Sequence, residues 1–132
     1  MPCVFSISIV HEGKQAIDCH AQAHQKGGAK NNGGTVRIFP ASGVPVDLSS
    51  AKNIFAWVYD VQGGNTVQLV IWDSAGNRSN EVWSARPTTK EGWTKITWVL
   101  SSFKGIDLHQ VNYIEIYMFN DGEYYFDDIS YQ

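Results

Sequence analysis

The chain has 132 residues and a formal net charge of −3, with 43% hydrophobic and 13% aromatic residues but only 17% charged ones. That length suits one domain able to bury its own core, and without a long basic run a nucleic-acid partner held through phosphate contacts is excluded. No apolar stretch approaches a membrane span and no charged-then-apolar leader follows Met1, so residues 1–132 read as a single module, with Met1-Pro2 as the cut end of a larger modular protein.

Val4–Val10 sets Phe5, Ile7 and Ile9 against Ser6 and Ser8, the alternation of a half-buried strand. His11-Glu12-Gly13-Lys14 reads as a turn, and a second strand follows from Gln15 to about Gln22. A turn at Glu12-Gly13 sets Cys3 and Cys19 at a diagonal offset, where a disulfide needs some irregularity; two small buried hydrophobes is the preferred reading. His24 to Gly34 is a polar, glycine-rich loop. It lacks the GxGxxG or Gly-Lys-Ser/Thr spacing and the following helix that a nucleotide site requires.

Thr35–Phe39 is a short strand in which Val36 and Ile38 share one face and Arg37 points the other way. Pro40 ends it, and Pro45 with Asp47-Leu48-Ser49-Ser50 makes a connection that has room for one helical turn. Asn53–Val61 is a strong strand with two apolar faces, Ile54, Ala56 and Val58 against Phe55, Trp57 and Tyr59; periodicity leaves open which set is core. In Thr66–Asp73 the residues Val67, Leu69 and Ile71 mark the core side and put Gln68, Val70 and Trp72 opposite. Ser74-Ala75-Gly76-Asn77 is a turn, and Asn80–Ser84 a short strand containing Trp83.

From Gly92 onward three runs of β-branched and aromatic residues are divided by SSFKGIDLHQ and NDGE, both dense in turn formers. Ile96, Trp98 and Leu100 form one apolar face, and Ile114, Ile116 and Met118 another. Opposite the second set stand Tyr113, Glu115, Tyr117 and Phe119, which is no ordinary solvent face. About nine short strands with turn clusters between them predict an all-β antiparallel sandwich or barrel.

The Gly-Trp opening of the strand after Gly92, the LSSFKGIDL corner and the closing Tyr-Tyr-Phe-Asp-Asp-Ile run resemble calcium-containing β-jelly-roll carbohydrate-binding modules, which are appended to secreted glycan-degrading enzymes. The likeness extends more weakly to Asn53–Asp73 and His11–Ile17, about two thirds of the chain. It implies a two-sheet jelly roll in which Thr66–Asp73, Asn112–Phe119, Thr35–Phe39 and Asn80–Ser84 share one sheet. It also implies an extracellular protein, a covalently linked catalytic domain, and a structural Ca2+ held by Asp127 with backbone carbonyls near Glu12 and Lys14. Oxygen-only ligation suits a hard cation.

If those four strands are neighbours, their outer faces bring together Trp72, Gln68, Tyr113, Glu115, Tyr117, Arg37 and Trp83, with Asn120 nearby. Indole and phenol rings cover the C–H faces of a pyranose, while forked donors and acceptors engage its paired hydroxyls. The expectation is a non-catalytic module that binds a polysaccharide or oligosaccharide of the β-glucan, β-galactan or xylan class in a groove on one sheet.

An enzyme is the weaker alternative. Successive strand residues face opposite ways, so Asp127 and Asp128 do not jointly flank a glycosidic bond. His11, His20, His24 and His109 lack metal-ligand spacing, and there is no GxSxG elbow. A carboxylate pair of Glu115 with Glu81 or Glu123 on the groove side leaves glycoside hydrolase or lyase chemistry open. A protein-recognition or adhesive sandwich using the same aromatics is the third reading.

Overall fold

The computed structural model describes residues 3–6, 16–21, 25–26, 29–30, 34–40, 43–90, 92–119 and 122–132, those before residue 34 through their backbone alone. Eleven strands are present among them: β1 (Cys3–Ser6), β2 (Ala16–Ala21), β3 (Gln25–Lys26), β4 (Ala29–Lys30), β5 (Gly34–Ile38), β6 (Asn53–Asp60), β7 (Gln68–Asp73), β8 (Val82–Trp83), β9 (Trp93–Val99), β10 (Val111–Met118) and β11 (Gly122–Tyr131). Leu100–Ser102 and Leu108–Gln110 are single 3-10 turns inside the segment expected to be a corner. The helical turn allowed for near Asp47–Ser50 is a plain turn at residues 49–50.

The strands form a five-stranded sheet in the order β1-β2-β11-β6-β9 and a four-stranded sheet in the order β5-β10-β7-β8, with β3 and β4 a separate small ribbon. Every pairing within these sheets is antiparallel. The two sheets stack as a β-sandwich, and the four strands expected to share a sheet do so. The polar glycine-rich loop is corrected in part, since β3 and β4 lie within it.

Period-two patterning explains the core. Val36 from β5, Leu69 and Ile71 from β7, and Ile114, Ile116 and Met118 from β10 meet Ile54, Ala56, Val58, Ile96, Trp98, Tyr124 and Phe126 from the other sheet. Full burial of such aliphatic or aromatic side chains contributes about 1.5–3 kcal/mol each. The ambiguous strand is thereby settled: β6 turns Ile54, Ala56, Val58 and Asp60 inward and leaves Phe55, Trp57 and Tyr59 half-buried on the outside.

Asp60 continues the inward row yet carries a charge, so its burial needs partners. Its Oδ2 accepts from Asn65 Nδ2 and Thr88 Oγ1, each at 2.7 Å, and its Oδ1 from the Gln62 amide at 3.2 Å. The network ties the connection leaving β6 to the segment before β9. Gly63, at φ +70, lies where a Cβ would stand 2.5 Å from the Lys90 backbone, so only glycine lets the two segments approach.

Two sequence expectations are corrected by register. Cys3 pairs directly with Cys19 in β1 and β2, not at a diagonal; nine residues, 7–15, join Ser6 to its partner Ala16, and they lie outside the described residues. In β11 the alternation fails at Asp128. Asp127 pairs with Trp57 but Ser130 with Phe55, so β11 carries one extra residue over that interval. Asp128 takes φ +48 there, a left-handed conformation that aspartate tolerates better than most residues. The bulge resets the phase, which lets Ile129 pack against the core. The argument that Asp127 and Asp128 point to opposite faces therefore does not hold at this site.

Candidate functional site

The outer face of the four-stranded sheet is built in rows across β5, β10 and β7. Tyr113 pairs with Trp72, Glu115 with Arg37 on one side and Val70 on the other, and Tyr117 with Thr35 and Gln68. Gln68 in turn pairs with Trp83 on β8. The expected constellation of Trp72, Gln68, Tyr113, Glu115, Tyr117, Arg37 and Trp83 is thus brought onto one face. Asn120 lies outside the described residues.

Aromatic rings gather at both ends of this face. At one end Trp72 and Tyr113 stack with centroids 5.7 Å apart and planes 17° apart, and Phe39 lies 4.9 Å from Tyr113. At the other, Trp83 packs 5.2 Å from Phe119. From Tyr113 to Phe119 the strand runs about 20 Å at about 3.4 Å per residue. Phe39 and Trp83 are 60% and 49% exposed, a cost in water that a ligand surface relieves.

Between the aromatic ends lies a polar centre organised by Glu115, which is only 4% exposed. Its Oε2 accepts from Arg37 Nε at 3.0 Å, while its Oε1 accepts from Tyr117 OH at 3.1 Å and from Trp72 Nε1. Three donors of the protein thus hold the carboxylate. It fixes the rings and the guanidinium in place, where the sequence had offered it as a direct partner for hydroxyls. Among the described residues only its Nε is engaged in a hydrogen bond, and the Arg37 side chain is 59% exposed. The hydrogen bond to Glu115, reinforced by its charge, raises the Arg37 pKa above the ordinary value.

Arg78, absent from the sequence reading of the site, completes the centre. Its guanidinium lies over the Tyr117 ring at 5.9 Å, reaches Tyr117 OH at 3.4 Å and bonds Glu81 at 3.2 Å. A signal for it existed: the turn at residues 74–77 folds the chain back so that Arg78 pairs with Trp72. Asp73 holds that turn. Its Oδ1 accepts from the Ala75 and Asn77 amides, and its Oδ2 from Asn77 Nδ2 and the Asp107 amide, all between 2.9 and 3.0 Å.

Burial alone would raise the Asp73 pKa, but the four hydrogen bonds outweigh it and leave the carboxyl below its ordinary value. A depressed folded pKa means stability that is present above the unfolded value near 3.9 and is lost as pH falls through the folded one. The denaturation midpoint of the wild type is therefore expected to drop below about pH 4 more steeply than that of Asp73→Asn, whose midpoint is already lower at neutral pH. Parallel acid profiles for the two proteins would remove Asp73 from this role.

Glu123 is not on this face. It belongs to β11 in the other sheet, where it accepts from Tyr125 OH, so it cannot pair with Glu115. Glu81 is engaged with Arg78, and the bonds from its own backbone amide and from Arg78 lower its pKa. Among the described residues no three His, Cys, Asp or Glu side chains gather as a metal site. His109 bonds Asp107 on the surface at 3.0 Å; His11 and His24 are outside the described residues. No helix among the described residues is long and apolar enough to cross a membrane.

Comparison with solved structures gives close likenesses of shape. A family 30 carbohydrate-binding module of a cellulosomal cellulase of Clostridium thermocellum superposes with a TM-score of 0.68 at 13% identity, over 98% of this chain and 81% of that one. This chain shares the β-sandwich fold of that module. A family 11 module from the same organism, solved in complex with a β-1,3-1,4-mixed-linked tetrasaccharide, gives 0.62 at 13% identity over 98% and 82% of the two chains. A family 16 module gives 0.53 at 11% identity over 99% and 85%. No family model matches the sequence, and no curated protein does.

Proposed function

We propose that this protein is a non-catalytic carbohydrate-binding module whose four-stranded sheet binds a neutral β-linked polysaccharide chain. The observation that carries this reading is the single outer face with aromatic pairs at both ends and a polar centre of Arg37, Gln68, Tyr117 and Arg78 between them. Rings cover the apolar faces of sugar units, and the forked side chains meet their hydroxyls. Arg37 and Arg78 are each paired with a carboxylate, so the face has little net charge and favours an uncharged chain over a uronate. The mixed-linked glucan in the family 11 complex makes a β-glucan the first ligand to try. The secreted setting and an attached catalytic domain, whose substrate concentration the module would raise by tethering, belong to the same proposal.

Affinity electrophoresis against mixed-linkage β-glucan, β-galactan and xylan, with reducing ends measured in parallel, tests it. Retardation without reducing-end release is the expected outcome. Release of reducing ends would make the protein an enzyme, and neither effect on any polymer would favour a protein partner.

A structural Ca2+ is part of the proposal. Phe126 pairs with Ile17 in β11 and β2, which sets half-buried Asp127 one step nearer the β1–β2 connection that contains Glu12 and Lys14. Asp127 Oδ1 accepts from the Asp128 amide at 2.8 Å, so the carboxylate is already oriented at the bulge. Asp127 with carbonyls near Glu12 and Lys14 would offer the all-oxygen set that a hard cation takes, and the ion would pin the β1–β2 connection to β11. A chelator is expected to lower the melting temperature by several degrees, as loss of a ligand bound only by the folded state does; an unmoved melting temperature would count against the ion.

A further inference from the structure

The opposite sheet carries aromatics that neither the core nor the proposed groove uses. On its outer face Phe55, Trp57 and Tyr59 stand in one row along β6, and Tyr59 meets Trp93 and Tyr125 edge-on at 5.7 and 6.0 Å. Beside Trp57 is a cavity of about 340 Å³ lined by Trp57, Lys95, Asp128, Ile129 and Ser130. The β11 bulge forms one wall, since Asp128 is its left-handed residue and Ser130 follows it. Lys95, the register partner of Trp57, forms the other. Its ammonium is held 4.2 Å over the Phe55 ring. A non-glycine residue kept at positive φ is a strained feature of the kind that clusters at ligand sites.

We propose that this cavity is a second glycan site that takes one uncharged pyranose residue. The proposal rests on the reading of the protein as a carbohydrate-binding module. Trp57 supplies the ring for a sugar's C–H face. Lys95 donates, Asp128 accepts and the Ser130 hydroxyl does both, which matches a ring of vicinal hydroxyls. Among the described lining residues one positive and one negative charge cancel, so neither a uronate nor an amino sugar is favoured. The volume is at the small end of ligand pockets, enough for one sugar ring and not for a chain. Because the outer faces of the two sheets point away from each other, one molecule would bridge two glycan chains, or two parts of one.

Calorimetric titration tests this with methyl β-glucoside and with a β-glucan hexasaccharide, in calcium-containing buffer. The hexasaccharide is expected to show two sites on the wild type and one on Trp72→Ala, and the methyl glucoside to occupy the second site alone. Trp57→Ala should weaken that second site at least tenfold and leave the first unchanged. Asp128→Gly is the companion variant: glycine suits the left-handed φ of the bulge, and the variant's melting temperature, read in parallel, separates loss of binding from loss of fold. One site in the wild type, abolished by Trp72→Ala and untouched by Trp57→Ala and Asp128→Gly, would overturn the second site and leave the groove standing. One site abolished by the latter two alone would overturn the groove, and no binding of either probe would overturn both.

Discussion

Trp72→Ala is expected to weaken binding of a β-glucan oligosaccharide by at least about 30-fold, or about 2 kcal/mol, while the protein remains folded. Trp72 is half-buried on the outer face, and its loss opens no hole in the core between the sheets. Two contributions disappear together. The indole stacked on Tyr113 is the largest ring at its end of the face, and its N–H is one of the three donors that hold Glu115. Trp72→Phe separates them: it keeps a ring for the sugar but releases the carboxylate, so an intermediate loss is expected. Affinity electrophoresis or calorimetry reads the change, with the melting temperature as the control for folding. A variant retained like the wild type would take Trp72 out of the site.

The second large effect is on stability. Asp60→Ala is expected to cost about 3 kcal/mol, because it removes the buried carboxylate that accepts from Asn65 and Thr88 at 2.7 Å, and a hydrogen bond to a charged group contributes about 1.5–3 kcal/mol. The Gln62 amide, which also loses its acceptor, lies at an exposed residue and can turn to water. Asp60 sits at the end of β6, where the chain leaves one sheet for the other, so the loss loosens the crossing as well as one side chain. The urea midpoint should fall accordingly with an unchanged slope. Asp60→Asn keeps one acceptor oxygen but turns an N–H2 group toward donors, and should fall between the two. A midpoint for Asp60→Ala within error of the wild type would show that the network contributes nothing net.

The two residues differ in how far the sequence announced them. Trp72 followed from parity: with Leu69 and Ile71 inward, position 72 belongs to the outside. Asp60 did not, since nothing in Asn53–Val61 distinguished its two apolar faces, and a charge at the end of a strand ordinarily faces water. It is inward because Ile54, Ala56 and Val58 are inward, and they are so because the other sheet lies on that side.

Glu115 shows the same division within the site. Its face was legible from Ile114 and Ile116, but its burial came from Trp72, Arg37 and Tyr117 closing over it from three strands. That gives it a positioning role towards Arg37, Trp72 and Tyr117 that its place in the sequence did not show. Arg78 reaches the face through the turn held by Asp73, so a residue between an expected turn and an expected strand became part of the site. Asp128 escaped alternation altogether, because a bulge breaks the rule on which alternation rests.

What the sequence determined by itself was the set of strands after residue 34, the core side of most of them, and the group of aromatic and planar polar residues on the outside of four. Side chains alternate along any strand, so local pattern carries that information without knowledge of neighbours. Which face of β6 is core, which carboxylates are buried, and where β11 changes phase were decided only when the sheets stacked. Burial and register depend on atoms supplied by strands far away in the chain, and no local window contains them.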